Sequence, residues 1–291
     1  MIGDDCPLAH QGSFRFGDRE VALETSEAAV LPRLSSLLDL PHRLSDGLDP
    51  GFQLRRNNRG YSVQFADVAG TLEHFATVDD AMASLGGAIP YRLLPHGAAH
   101  VLHAGGLLID GRAHLFMGPG HIGKSTLAFH AWMKGHDIIS DDFLILTPAE
   151  GSVRTTPKPL KLRLGTAGLP KGLDTRARPE DYLVGRTAES RILLLGRALP
   201  GMTPIGETVP IAHMHFVSRS GSGDTFTHPI SKAEAIQKIF EQLIIAPRND
   251  LDVVRCLARL YERGSVSGLH VGHMDLDGAL AAIEDAAAVA R

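Results

Sequence analysis

The sequence predicts an α/β fold: a nucleotide-type domain over residues 96–291, preceded by a small α+β region over residues 1–95. Three observations carry that expectation. Gly118-Pro-Gly-His-Ile-Gly123-Lys124-Ser125 fits the phosphate-loop pattern G-x-x-x-x-G-K-[ST]. An apolar strand, Ala113–Met117, precedes it, and an apolar-periodic helix, Thr126–Lys134, follows it to a stop at Gly135. Asp137-Ile-Ile-Ser-Asp141-Asp142 then reads as a second strand ending in two acids.

In chain order, Ser26–Leu38 reads as a helix, followed by a Pro-, Asp- and Gly-rich loop from Pro41 to Gly51. Phe52–Arg56 and Tyr61–Phe65 alternate as strands around a polar Asn57-Asn58-Arg59-Gly60 turn. Val78–Gly86 reads as a helix with a glycine stop, and Pro90 and Pro95 mark a boundary near 90–95. Leu107–Phe116 is two apolar runs joined by Asp110-Gly111, a strong hairpin signal. A two-residue turn fixes the register, pairing Ile109 with Arg112 and Leu107 with His114. Continued, that register sets His103 opposite Gly118, unless a bulge at Gly105-Gly106 shifts it.

A turn-rich basic stretch follows Pro148, then buried strands at Arg191–Leu195 and Ile211–Val217. Helices are expected at Lys232–Ile245, Leu251–Tyr261 and Asp277–Ala290, with a last strand at Gly268–Gly272. Trp132 reads as core. His213 and His215 alternate onto one strand face, as metal ligands can, yet no Cys or acid is close in sequence.

Composition narrows the function classes. A formal net charge of -4 argues against general nucleic-acid binding. The N-terminus, Met1–Pro7, lacks a signal-peptide pattern, and no apolar run approaches the roughly 20 residues of a membrane span. Cys6 and Cys256 suggest neither a disulfide framework nor a zinc site. The expectation is a cytoplasmic protein that binds neither nucleic acid nor membrane; its oligomeric state is left open, a homo-oligomer included.

The chemistry concentrates at the loop. Its backbone N–H groups would cradle phosphate at a helix N-terminus, with Gly118, Gly120, His121, Ile122, Gly123 and Thr126 as the contacting set. Lys124 would reach the β- and γ-phosphates of ATP, and the Ser125 hydroxyl would ligate Mg²⁺. The helix from Lys124 descends about 16 Å at ~1.5 Å per residue. A strand from Asp137 climbs back about as far at ~3.3 Å per residue, if it runs parallel to the strand before the loop. Its end then brings Asp141 and Asp142 beside the phosphates. Neighbouring residues on a strand point to opposite sides, so one acid can approach Mg²⁺ while the other faces an acceptor hydroxyl. His103 could hydrogen-bond an adjacent acid and set its proton affinity. Lys158, Lys161, Arg163 and Arg219 are candidates for the further positive charge that a phosphoryl transfer needs, and the sequence does not choose among them.

The stretch His103-Ala-Gly-Gly, Gly118–Ala128 and Lys134-Gly-His-Asp-Ile-Ile-Ser-Asp-Asp142 resembles the catalytic core of HPr kinase/phosphorylase and its relatives, the lasso-peptide precursor kinases included. The resemblance covers roughly residues 103–142. It implies a phosphoenolpyruvate-carboxykinase-like nucleotide domain and an ATP-dependent, Mg²⁺-dependent kinase acting on a hydroxyl, foremost that of serine, in a peptide or small protein. A small-molecule acceptor and a regulatory ATPase without an acceptor are the other readings. It also implies Asp141 as catalytic base, Asp142 and Ser125 near the metal, and His103 supporting Asp141. This chain departs from the family pattern in two places: His121 stands at a loop position where a small residue is usual, and Pro159–Arg163 offers Lys161 but no metal-holding Glu.

Overall fold

The computed structural model describes residues 6–44, 48–66, 71–95, 99–166, 168–187, 190–219, 223–245, 251–273 and 275–289. It is a mixed α/β protein in two compact units: residues 1–94 with 157–199, and residues 95–156 with 200–291. The chain therefore returns to its first unit after leaving it, a return absent from the linear division at 95.

The first unit opens with β1 (His10–Phe16), β2 (Arg19–Thr25), α1 (Val30–Leu38), β3 (His42–Leu44), β4 (Pro50–Asn57), β5 (Gly60–Phe65), β6 (Leu72–Phe75) and α2 (Val78–Arg92). Its six strands form one sheet in the order β3-β1-β2-β4-β5-β6. α1 starts later than Ser26, at Val30, and ends on Asp39 in the left-handed region. α2 is capped by the Thr77 hydroxyl, which accepts from the Asp80 N–H, and it runs through Gly86 to Arg92. The expected stop at Gly86 is thus corrected. A Cβ there would lie 2.8 Å from Leu194 and 3.2 Å from Leu37, so the glycine serves close packing instead of ending the helix. Residues 45–47, inside the expected loop 41–51, lie outside the described residues.

The second unit begins with β7 (His100–Ile109), β8 (Arg112–Met117), α3 (Lys124–Lys134), β9 (Asp137–Ser140), β10 (Phe143–Thr147) and β11 (Ser152–Arg154). The chain then supplies β12 (Leu160–Leu164), β13 (Tyr182–Arg186) and β14 (Arg191–Leu195) to the first unit, as a sheet ordered β12-β14-β13. α2 lies directly on it: a Cβ at Gly185 would come 2.6 Å from that of Ala83. Finally β15 (Thr208–Arg219), β16 (Phe226–His228), α4 (Lys232–Glu241), β17 (Leu243–Ile245), α5 (Leu251–Glu262), β18 (Val266–Val271) and α6 (Leu276–Val289) complete the second unit.

The main sheet of this unit runs β11-β10-β7-β8-β15-β18-β16, with β9 and β17 also paired to β7. One face buries Leu115, Met117, Met214 and Phe216 against Ala235 and Ile239 of α4 and Val253, Leu257 and Leu260 of α5. α3 and α6 pack together, joined by Asp277 to His130 and Lys134, each at 3.0 Å, and by Glu284 to His136 at 3.2 Å. Trp132 is fully buried in α3 and donates its ring N–H to the Pro200 carbonyl at 2.9 Å, as a core residue does. The helix expected over Lys232–Ile245 ends at Glu241. Leu243 and Ile245 instead pair with Leu102 and Val101, because the first half of β7 offers an open flank that a strand satisfies and a helix does not.

Candidate functional site

The hairpin fixes the site's first wall. Asp110 and Gly111 both have positive φ, 51° and 71°, as a tight two-residue turn requires. The register runs unbroken from Ile109↔Arg112 to Ala104↔Met117, with no bulge at Gly105-Gly106. Gly105 lies under the ring of its partner Phe116, where a side chain would collide. One step beyond the last pair, His103 stands level with Gly118. There β7 changes partners, His103 pairing with Phe143 of β10 and donating its backbone N–H to the Gln242 carbonyl at 2.7 Å.

The loop itself bends through two left-handed residues, His121 at φ 66° and Gly123 at φ 109°. Gly118 passes so close to β15 that a Cβ would sit 2.9 Å from the Val217 carbonyl oxygen. α3 begins at Lys124 without a side-chain cap and without an acid in its first turn. Its leading N–H groups, those of Lys124, Ser125 and Thr126, have no intrahelical acceptor and carry the positive end of the helix dipole. Such an end suits an anion.

Lys124 is buried, with 6% exposure. Its ammonium donates to the Gly118 carbonyl at 2.7 Å and the Pro119 carbonyl at 3.3 Å. Burial lowers its pKa, while the charges of Asp142 and Asp141 pull it back up. Both carboxylates are thus near enough to be felt at the loop. The strand directions bring them there. β8 and β9 each run antiparallel to β7, so they point the same way, and β9 ends at the loop's side of the sheet.

Past the end of β9, Asp141 is buried and Asp142 half-buried. The Asp142 N–H donates to Ser140 Oγ at 3.1 Å, its carbonyl accepts from the Ala104 N–H at 2.9 Å, and Ser140 Oγ donates to the Phe143 carbonyl at 3.0 Å. His103 Nε2 lies 3.4 Å from Asp142 Oδ1. The imidazole therefore lies beside Asp142.

Of the four basic candidates, Arg219 is the one in this unit, at the end of β15 beside β8. Its guanidinium comes within 3.4 Å of where a Cβ on Gly123 would lie. Sequence reasoning could not rank it, because its place depends on parallel pairing of β15 with β8, two strands far apart along the chain. Lys158, Lys161 and Arg163 belong to the first unit.

His213 and His215 do share a face, and His114 joins them, since a bulge between Ile211 and His213 sets His213 beside His114. The His213 and His215 rings stack with centroids 4.3 Å apart, and Ser267 Oγ lies 2.9 Å from His213 Nε2 and 3.3 Å from His215 Nδ1. Burial pushes the pKa of His114 and of His213 down to about 4, and it holds that of His215 well below the usual imidazole value as well. Among the described residues no group of three His, Cys, Asp or Glu side chains is arranged to hold a metal. Among the same residues no helix is long and apolar enough to cross a membrane.

No family model matches the chain, and no curated protein matches it. Among solved structures, the Hpr(Ser) kinase/phosphatase from Coxiella burnetii matches at 17% sequence identity and a TM-score of 0.25, covering 56% of this chain and 95% of that one. That is a distant structural likeness.

Proposed function

We propose that the loop Gly118–Ser125 binds the phosphates of Mg·ATP and that the protein transfers the γ-phosphate to a hydroxyl, foremost that of serine, on a peptide or small protein. The observation that carries this reading is the convergence at one sheet end of a buried lysine, an uncapped helix start and two carboxylates from the returning strand. Gly120, His121, Ile122 and Gly123 shape the turn, and Lys124, Ser125 and Thr126 present N–H groups to the phosphates. The Lys124 ammonium has three protons, and two loop carbonyls use two of them. The third is available to a phosphate oxygen. Ser125 would hold the magnesium ion, which neutralises charge on the phosphates when bound. Arg219 adds a second cation at the loop, where transfer develops charge.

Asp141 takes the acceptor's proton in this reading, and Asp142 serves the metal. The His103–Asp142 contact favours one alternative, in which Asp142 is the base oriented by His103 and Asp141 serves the metal. Replacing the base lowers kcat at saturating Mg²⁺. Replacing the metal's acid raises the Mg²⁺ concentration needed for half-maximal rate. Asp141→Asn and Asp142→Asn, assayed with γ-labelled ATP and serine-containing peptides across a Mg²⁺ series, separate the two assignments. Phosphate release with no labelled acceptor, unchanged in both variants, would remove the kinase reading and leave a nucleotide-gated ATPase.

A further inference from the structure

β8, β15 and β18 run parallel, so all three end on the side of the sheet where the loop Gly118–Ser125 begins. β9 carries Asp141 and Asp142 to that side on one flank of β8, the flank of β7. β15, β18 and β16 extend from the other flank. A triphosphate held on the loop with its γ end toward the two acids would direct its nucleoside the opposite way, over β15, β18 and β16.

An aromatic pair stands on that flank. Phe226 is the first residue of β16, which runs antiparallel to β18, so it lies at the strand end nearer the loop. The registers put it in the loop's own row. Met117 pairs with Phe216, and Phe216 with Gly268; two residues on, Ser218 pairs with His270, and His270 with Phe226. Phe226 is therefore level with Pro119, in the loop. Three strand spacings separate β8 from β16, about 14 Å at ~4.8 Å each, within reach of an extended nucleoside triphosphate. The rings of Phe226 and His270 stack with centroids 5.0 Å and planes 25° apart, and His270 Nδ1 lies 3.2 Å from Ser218 Oγ. The imidazole is thus held in place behind the Phe226 ring. Phe226 itself remains 50% exposed. A ring left half in water gains by covering that area, and a flat π-system covers it best.

On the reading that the loop binds Mg·ATP, on which this rests, we propose that Phe226, backed by His270, is the platform on which the nucleobase of the bound triphosphate stacks. The loop holds the phosphates, the sugar spans β15 and β18, and the base lies on the exposed face of Phe226. This residue then distinguishes a nucleoside triphosphate from a bare polyphosphate, which the loop alone does not.

Calorimetric titration of the full-length protein with Mg·ATP and with Mg·tripolyphosphate tests the assignment. Both are expected to bind, ATP at least about fivefold more tightly, the low end of what stacking on an aromatic side chain contributes. Phe226→Ser should weaken ATP at least about fivefold and leave tripolyphosphate unchanged, since the loop stays intact. Phe226→Trp should retain the ATP affinity, and its added indole should be quenched by ATP but not by tripolyphosphate, over the constant emission of buried Trp132. ATP affinity unchanged in Phe226→Ser, a matching loss of tripolyphosphate affinity in that variant, or an indole indifferent to ATP would overturn the platform and leave the loop reading standing. Failure of both ligands to bind the parent protein would overturn the loop reading and the platform with it.

Discussion

Lys124 is buried inside the turn it serves, and its charge is kept there by two carbonyls and two nearby carboxylates rather than by water. The glycines around it differ in what they do, and substitution should separate them. Gly123 has φ 109°, where an L side chain is strained, so Gly123→Ala is expected to cost about 1–2 kcal/mol in urea unfolding. Gly120 has open space where a methyl would stand and no positive φ, so Gly120→Ala should stay within about 0.5 kcal/mol of the parent. Equal costs at the two positions would contradict the loop geometry. At this scale most of the candidate site was legible, because the G-x-x-x-x-G-K-[ST] spacing names its residues directly. For His103, hairpin register places the residue along the strand but does not choose between the two adjacent acids; its ring lies 3.4 Å from Asp142. Arg219 was legible only as one of four cations, since no local pattern reports a parallel pairing.

The hairpin β7–β8 is the element that fixes the site's register, and it is legible from Asp110-Gly111 alone. Gly105 is what lets Phe116 lie flat across the pair. Gly105→Ala is therefore expected to destabilise by about 1–3 kcal/mol, as overpacking does. Combining it with Phe116→Leu should recover part of that loss, and a fully additive double variant would contradict the close approach. The misread elements share one cause. Gly86 looks like a stop and β17 looks like helix, because propensity and periodicity are local while Leu194 and β7 are distant in sequence. Neither misreading touched the loop, where strand, turn and helix are contiguous.

Within the second unit, His114, His213 and His215 form a buried stack that resists protonation, while His114 Nδ1 and His215 Nε2 have no hydrogen-bond partner among the described residues. Burial is the main cause of the low pKa of His114, with Arg112 adding to it and Asp110 opposing; for His213 burial leads and His114 follows. In an unfolded chain these rings titrate near 6.5. Their contribution is thus complete above about pH 6.5 and is lost as pH falls toward about 4, because only the unfolded state takes up protons in that window. A drop from 6.5 to about 4 corresponds to about 3 kcal/mol per ring. Urea midpoints at pH 7.5 and 5.0 should fall steeply for the parent and less for His114→Leu, which also removes an unpaired buried nitrogen. A parent midpoint that does not move between those pH values would refute the buried neutral stack. Periodicity put His213 and His215 on one face, but a bulge brought His114 alongside, and bulges leave no sequence signature here.

The central claim is that Asp141 and Asp142 return to the mouth of the loop that holds the triphosphate. A crystal structure with Mg²⁺ and a non-hydrolysable ATP analogue tests it most directly. The γ-phosphate is expected against Lys124, with one of the two carboxylates within hydrogen-bond or one-water reach of the metal and the other facing open space beside that phosphate. A triphosphate bound elsewhere, or bound at the loop with both carboxylates farther than a side chain's length from it, would contradict that claim.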